Sequence, residues 1–346
     1  MNNNLYTNKN VKAMNRKYNK ELKNSCFNKN IISINYRKKS FIEFIIKFFI
    51  KIIMLIAVSK TVNKNKTKMD ELVNRVYKRF TGKDFAFIPI SFAFYLLISF
   101  IPIVMSVYVM LNLLPINLKT LFKEEVLQKI IPGLESFIDS MPKTWDTGTY
   151  AVIIPLFLAS LWVSSGGFSK FIYSINYIYR HETTGNWFIN RLKGFIVVLC
   201  ITVFIFLSMF IYLSFFKMIN MDKASETNKN IYFYIVFSIY LMANLYSGFS
   251  ILLKFTPAFK ISWSLVTPGV LIASVPTMIF VTIFGYLTSL INYNKFGIFG
   301  VFMYIALLVS NMAYFIYLGI IANEAYYKTF HSRYTISKKI WFKKFL

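Results

Sequence analysis

Cysteine and histidine are almost absent from this chain, which holds two of each in 346 residues. Cys26 stands in a polar stretch and Cys200 in an apolar run, so neither a disulfide framework nor a zinc-ligand spacing can be built from them. His181 and His331 fall in two separate polar stretches. A P-loop, a His-Glu or His-x-His metal motif and a Gly-x-Ser-x-Gly nucleophile elbow are all missing, and Ser165-Gly166-Gly167 does not supply one. Acids are scarce too, with 14 Asp+Glu against 40 Lys+Arg and a formal charge of +26. A metal-dependent nuclease needs several carboxylates or histidines converging on one point. Here the few acids scatter over tails and loops, so the expectation is a non-enzyme with no cofactor and no resident metal.

Apolar surface is what the chain does have. Residues of the AVILMFWYC set make up 56% of it, aromatics 19%, and mean hydropathy is +0.50, above the roughly 45 to 50% apolar usage of soluble domains. Charge is absent from six long intervals: 34 residues between Asp84 and Lys119, 23 between Asp146 and Lys170, 23 between Lys193 and Lys217, 24 between Lys229 and Lys254, 34 between Lys260 and Lys295, and 28 between Lys295 and Glu324. A helix needs about 20 residues to cross the hydrocarbon. Soluble helices keep a polar face, and membrane barrels alternate apolar with polar residues; these runs do neither. The expected fold is therefore an all-α, polytopic membrane bundle of six spans, near 86–113, 150–169, 194–216, 231–253, 265–290 and 298–323. The expected domains are a disordered basic tail (1–40), an amphipathic helix with a basic linker (41–84), the six-helix domain (85–327) and a basic tail (328–346).

The positive charge is placed to flank a membrane. Twenty of the 40 basic residues lie in 1–84, so the expected partners are the bilayer and anionic lipids met through the basic tails, with no nucleic acid. A small-molecule substrate is left unnamed, and a bundle of this kind is open to homo-oligomer formation. Cytoplasmic loops hold the excess of Lys and Arg. With both termini inside, that side carries 11 basic residues after residue 84 and the opposite side 8, diluted there by seven acids. The expectation is a multi-pass membrane protein, N-in and C-in. Residues 41–59 are apolar except that Glu43, Lys47 and Lys51 recur every four residues, which suits an interfacial helix with that stripe facing the headgroups; a seventh span is the alternative. Residues 118–137 form an amphipathic segment over the outer mouth, interrupted by Pro132-Gly133. Met69, opening Met69-Asp70-Glu71-Leu72, is a second candidate start, which would make residues 1–68 dispensable.

Candidate pathway or hinge residues are few, and each has a plainer reading. Pro102 in the first span and Pro268 and Pro276 in the fifth free backbone carbonyls that either line a cavity or are satisfied by neighbouring helices. Ser164, Ser165, Gly166 and Gly167 permit close helix approach and interhelical hydrogen bonds. Tyr95, Ser99 and Pro102 share one side of the first helix. A pathway between the first, second and fifth spans would pass Tyr95, Ser99, Pro102, Ser164, Ser165 and Pro276. Gly297 and Gly300, beside Asn292 and Asn294, suit an external turn. Asn244, Ser310 and Asn311 are the polar groups nearest mid-membrane. No ionisable residue lies in a span core, which disfavours a proton relay, and Glu324 at the end of the sixth span reads as a snorkelling helix-end residue.

Several phrases resemble the YihY/BrkB family of bacterial inner-membrane proteins, once labelled ribonuclease BN. They are Ser91-Phe92-Ala93-Phe94-Tyr95-Leu96-Leu97-Ile98-Ser99-Phe100-Ile101-Pro102 in the first span; Leu161-Trp162, Ser164-Ser165, Gly167, Asn176 and Tyr179 at the second; Pro257, Trp263 and Pro268-Gly269 before the fifth; and Gly297, Gly300, Gly319 and Asn323 at the sixth. The resemblance runs from about Val73 to Tyr327. Leu253, Leu265, Phe296 and Ile321 replace polar residues of the family's pattern. It implies a multi-pass inner-membrane protein, with transport of a small solute as the family's presumed role. The alternative is a structural or envelope-associated scaffold that translocates nothing. The ribonuclease label finds no supporting residues.

Overall fold

A computed structural model of the chain describes residues 41–57, 66–82, 84–112, 118–130, 147–181, 186–289, 297–331 and 334–338. The expected tail at 1–40, Met1 with it, Pro132-Gly133, Asn292 and Asn294 lie outside the described residues. These fold almost entirely as helix: α1 (Phe41–Ala57), α2 (Lys66–Phe80), α3 (Asp84–Asn112), α4 (118–130), α5 (Thr147–Ile178), α6 (Trp187–Met218), α7 (Glu226–Phe255), α8 (Trp263–Ser289) and α9 (Gly297–Phe330). Among the described residues there is no strand, only an isolated antiparallel bridge between Phe259 and Ser337.

Among the described residues five helices are long and apolar enough to cross a membrane: α3, α6, α7, α8 and α9. The expected second span falls on α5, a helix of 32 residues. It contains Pro155 and is followed by a turn at Arg180, where φ is +51°. At 1.5 Å per residue, 32 residues reach about 48 Å, more than the roughly 30 Å of hydrocarbon.

The chain divides into two compact units, residues 1–45 and 46–346. Of the first, only the opening turn of α1 is described. Within the second, Lys51 of α1 pairs with Asp70 of α2 at 3.2 Å and Lys47 stands 4.8 Å over the Tyr77 ring. Two members of the charged stripe thus meet α2, while Phe48, Phe49 and Leu55 are exposed. A stripe turned wholly to headgroups does not fit, because an ammonium gains more from a carboxylate and an aromatic face than from solvent alone.

The bundle is built on α8 against α9, α5 against α6, and α3 against both α5 and α9. Backbones approach closely where side chains vanish. A Cβ on Gly269 would stand 2.0 Å from the Gly319 carbonyl oxygen, and one on Gly194 would stand 2.4 Å from the Ser165 oxygen. Gly297 opens α9 and Gly300 lies in its first turn; the turn expected to lead into this helix lies outside the described residues. Helix propensity lost at two glycines, roughly 1 kcal/mol each, is outweighed by the apolar continuity of α9.

One end of the bundle gathers the starts of α3, α6 and α8 with the ends of α5, α7 and α9; the other gathers α4 and the α6–α7 turn. At the first end a strap, residues 334–338, lies on the α7–α8 loop. The Lys260 amide donates to the Ile336 carbonyl at 2.8 Å and the Lys338 amide to the Ala258 carbonyl at 2.9 Å. The Lys338 ammonium donates to the carbonyls of Lys254, Phe255 and Pro257 at 3.2, 3.1 and 2.8 Å. These carbonyls terminate α7, where a cation is favoured. Burial, with Lys254 and Lys193 nearby, lowers the Lys338 pKa to about 8.

Glu324 is buried at this end, 2% exposed, with Lys328 Nζ at 3.0 Å and Arg79 at 3.6 Å. It does not snorkel. A carboxylate one turn inside the end of α9 is covered by α2 and answers burial with two cations instead of water.

Candidate functional site

Buried apolar side chains fall into two clusters. One lies toward the strap, around Phe92, Phe168, Phe249 and Leu252; the other lies toward α4, around Val107, Phe122, Val126 and Leu308. Where they meet, the helices line a half-open cavity of about 320 Å³ that both clusters border.

The walls come from α3, α4, α6, α7, α8 and α9, and among the described residues α5 adds Phe168 alone. Twenty-five of the lining residues are apolar or glycine, and Ser99, Ser208, Asn244 and Thr277 are the polar ones. Ser99 and Thr277 donate to carbonyls of their own helices, Tyr95 at 2.8 Å and Ala273 at 2.6 Å. Ser208 is different, because it belongs to a cluster between helices. Its hydroxyl donates to Asn244 Oδ1, and the Tyr240 hydroxyl donates to the Ser208 carbonyl. The Asn244 side-chain amide donates to the Tyr240 carbonyl at 2.9 Å. Interhelical bonds of this kind contribute about 0.6 kcal/mol each in a membrane.

Helix α4 closes one end of the cavity with Phe122, Val126, Leu127 and Ile130. It is an amphipathic segment, as its sequence suggests, but Phe122–Leu127 is wound as π-helix, and a second π segment, Phe233–Phe237, faces it from α7. Such bulges occur often at functional sites. Glu125, 7% exposed, meets Lys129 at 2.9 Å and Lys229 at 3.4 Å. Lys129 lies 5.3 Å over the Phe233 ring, and the Tyr304 hydroxyl donates to the Ile130 carbonyl. These contacts tie the cap to α7 and α9.

Of the residues singled out from sequence, Ser99 lines the cavity. Tyr95 and Ser164 pack beside it at the α3–α5 crossing. Ser99 Oγ also approaches the Ser164 carbonyl at 3.4 Å, and a Cβ on Gly167 would come within 2.9 Å of Tyr95 Cβ. Ser165 turns to its own helix, donating to the Trp162 carbonyl at 2.6 Å, and its backbone receives α6 at Gly194. The Pro102 carbonyl accepts from Ser106 at 2.7 Å. Pro276 precedes the lining Thr277 without lining the cavity itself, and Pro268 precedes the Gly269–Gly319 crossing. Asn244 was legible as a mid-membrane polar group, whereas Ser208 and Thr277 were not. A hydroxyl in an apolar run carries no signal of which helix it faces. Among the described residues no group of three His, Cys, Asp or Glu is placed to hold a metal ion.

The family model for virulence factor BrkB matches residues 76–341, which takes in every wall of the cavity. No curated protein and no solved structure matches the chain.

Proposed function

From the premise that the chain belongs to the BrkB family, whose model matches residues 76–341, we propose that it moves a small solute across the membrane through the cavity between its helices. The carrying observation is that cavity of about 320 Å³ at the junction of six helices, with hydroxyls and an amide on otherwise apolar walls. It falls at the lower end of the volumes that ligand sites occupy. In this proposal α5 is the sixth span, Ser99 is on the pathway, and the Pro102, Pro268 and Pro276 helices are the parts that adjust. No catalytic step is involved.

Proteoliposomes of the purified chain, offered a panel of apolar, amphipathic and polar solutes, should take up at least one faster than empty vesicles. Leu245→Trp, which fills the cavity, should cut that uptake roughly fivefold while costing no more than about 3 kcal/mol of stability. Inertness toward the whole panel by folded protein would favour a scaffold, a reading that draws on the lack of titratable side chains among the described residues of the cavity lining.

The proposed setting is a bacterial plasma membrane with both termini cytoplasmic, α1 along the interface with Phe48, Phe49 and Leu55 toward lipid, and the basic tails on anionic headgroups. Cysteines at Ser140 and Thr227 should react with an impermeant thiol reagent from outside, and cysteines at Thr184 and Ser332 only after permeabilisation. The opposite pattern would invert the topology.

A further inference from the structure

We infer that the cavity selects an uncharged amphiphile, a molecule with an apolar body and one hydrogen-bonding group such as a hydroxyl or amide, held by Asn244 and Ser208. This deepens the transport reading and rests on it for the identity of the site.

Three features of the cavity lead there. First, among the described residues its lining contains no Asp, Glu, Lys, Arg, His, Cys or Tyr. A charged ligand would shed its hydration with nothing to compensate, at a cost of many kcal/mol. Second, the walls are otherwise hydrocarbon, so a polar solute such as a sugar or nucleotide would leave most of its hydroxyls unmet. About 320 Å³ takes roughly ten groups the size of a water molecule, the bulk of a medium-length alkyl chain.

Third, the polar lining is concentrated. Ser208 and Asn244, bonded to each other and to Tyr240, stand together on the wall. A ligand hydroxyl or amide can donate to Ser208 Oγ and accept from the Asn244 amide. A saturated hydrocarbon can do neither.

The route in follows from the packing. Helix α7 packs mainly on α8 and meets α6 through the Tyr212–Tyr240 ring contact and the Ser208–Asn244 bond. Along that seam Leu241, Asn244, Leu245 and Gly248 line the cavity and are only half-buried. An amphiphile dissolved in the bilayer therefore reaches Asn244 sideways, between α6 and α7, without crossing water.

The test uses the full chain in nanodiscs of neutral lipid and four photoreactive probes, each with an alkyl diazirine on a chain of about ten carbons: an alcohol, an alkane, a carboxylate and an amine. The alcohol should label peptides within 201–209 and 241–252 most strongly, and excess decanol should compete. Asn244→Leu and Ser208→Ala, each checked by melting in detergent, should lower alcohol labelling roughly fivefold, the loss of about one hydrogen bond, and leave alkane labelling unchanged. Equal labelling by alcohol and alkane would overturn the inference, as would carboxylate or amine labelling that matches the alcohol. The ranking of the four probes on the natural chain decides the matter even if a variant fails to fold. Labelling without uptake in proteoliposomes would retain the binding site and dismiss transport; uptake without cavity labelling would do the reverse.

Discussion

Gly269→Ala is expected to destabilise the purified protein by roughly 3 kcal/mol or more, at the upper end of what overpacking costs, seen as a large drop in its melting temperature in detergent. The added carbon would stand 2.0 Å from the Gly319 carbonyl oxygen and 2.4 to 2.5 Å from the Asn323 side chain. Backbone cannot rotate away as a side chain can, so α8 and α9 must separate. Separation also lengthens the bond from the Gly269 amide to Asn323 Oδ1, now 2.6 Å. Gly319→Ala should behave alike, since its Cβ would lie 2.3 Å from the Gly269 oxygen. Gly248→Ala is the control: its nearest neighbour is a Phe204 ring atom at 3.3 Å, which can turn aside. If Gly269→Ala melts like the natural chain, the crossing is not as tight as described.

Lys328→Met is the second large effect, expected to cost about 3 kcal/mol, the lower end for a broken buried ion pair. It removes the nearer cation, at 3.0 Å, from a carboxylate that is 2% exposed, leaving Arg79 at 3.6 Å. Most of the loss is the desolvation of Glu324 and not the attraction itself. Glu324→Gln, which removes that charge, should therefore be milder, and the pair Lys328→Met with Glu324→Gln should recover most of the stability. Detergent melts of the two single variants and the double variant form a cycle. A double variant as unstable as the sum of the singles would show that Glu324 and Lys328 are not coupled.

The phrases that resemble the family mostly lie at these contacts. Gly269 meets Gly319 and Asn323, Gly167 sits against Tyr95, and Asn176 Oδ1 accepts the Ala258 amide at 3.0 Å. They hold α3, α5, α8 and α9 in place around the cavity more than they line it. Sequence reasoning ranked Ser99, Pro102, Ser164 and Ser165 as pathway candidates because prolines and hydroxyls are conspicuous in an apolar run. The fold places Ser165 toward α6 and leaves Ser99 as the one of that group on the cavity wall.

Some of this molecule was decided by sequence alone. Charge-free runs longer than the hydrocarbon is thick admit only helices in lipid, because every backbone amide must be satisfied within its own segment. That is a local constraint, readable one segment at a time. The depth and partners of particular polar groups are not local. Ser208, Tyr240 and Asn244 come from two helices and become one cluster only when α6 and α7 take their rotations about their axes. Glu324 becomes a buried ion-pair partner only when α2 covers the end of α9. Those rotations are set by glycines meeting backbone across helices, and a run of apolar residues with nearly uniform hydrophobicity around its circumference carries almost no information about which face will turn inward.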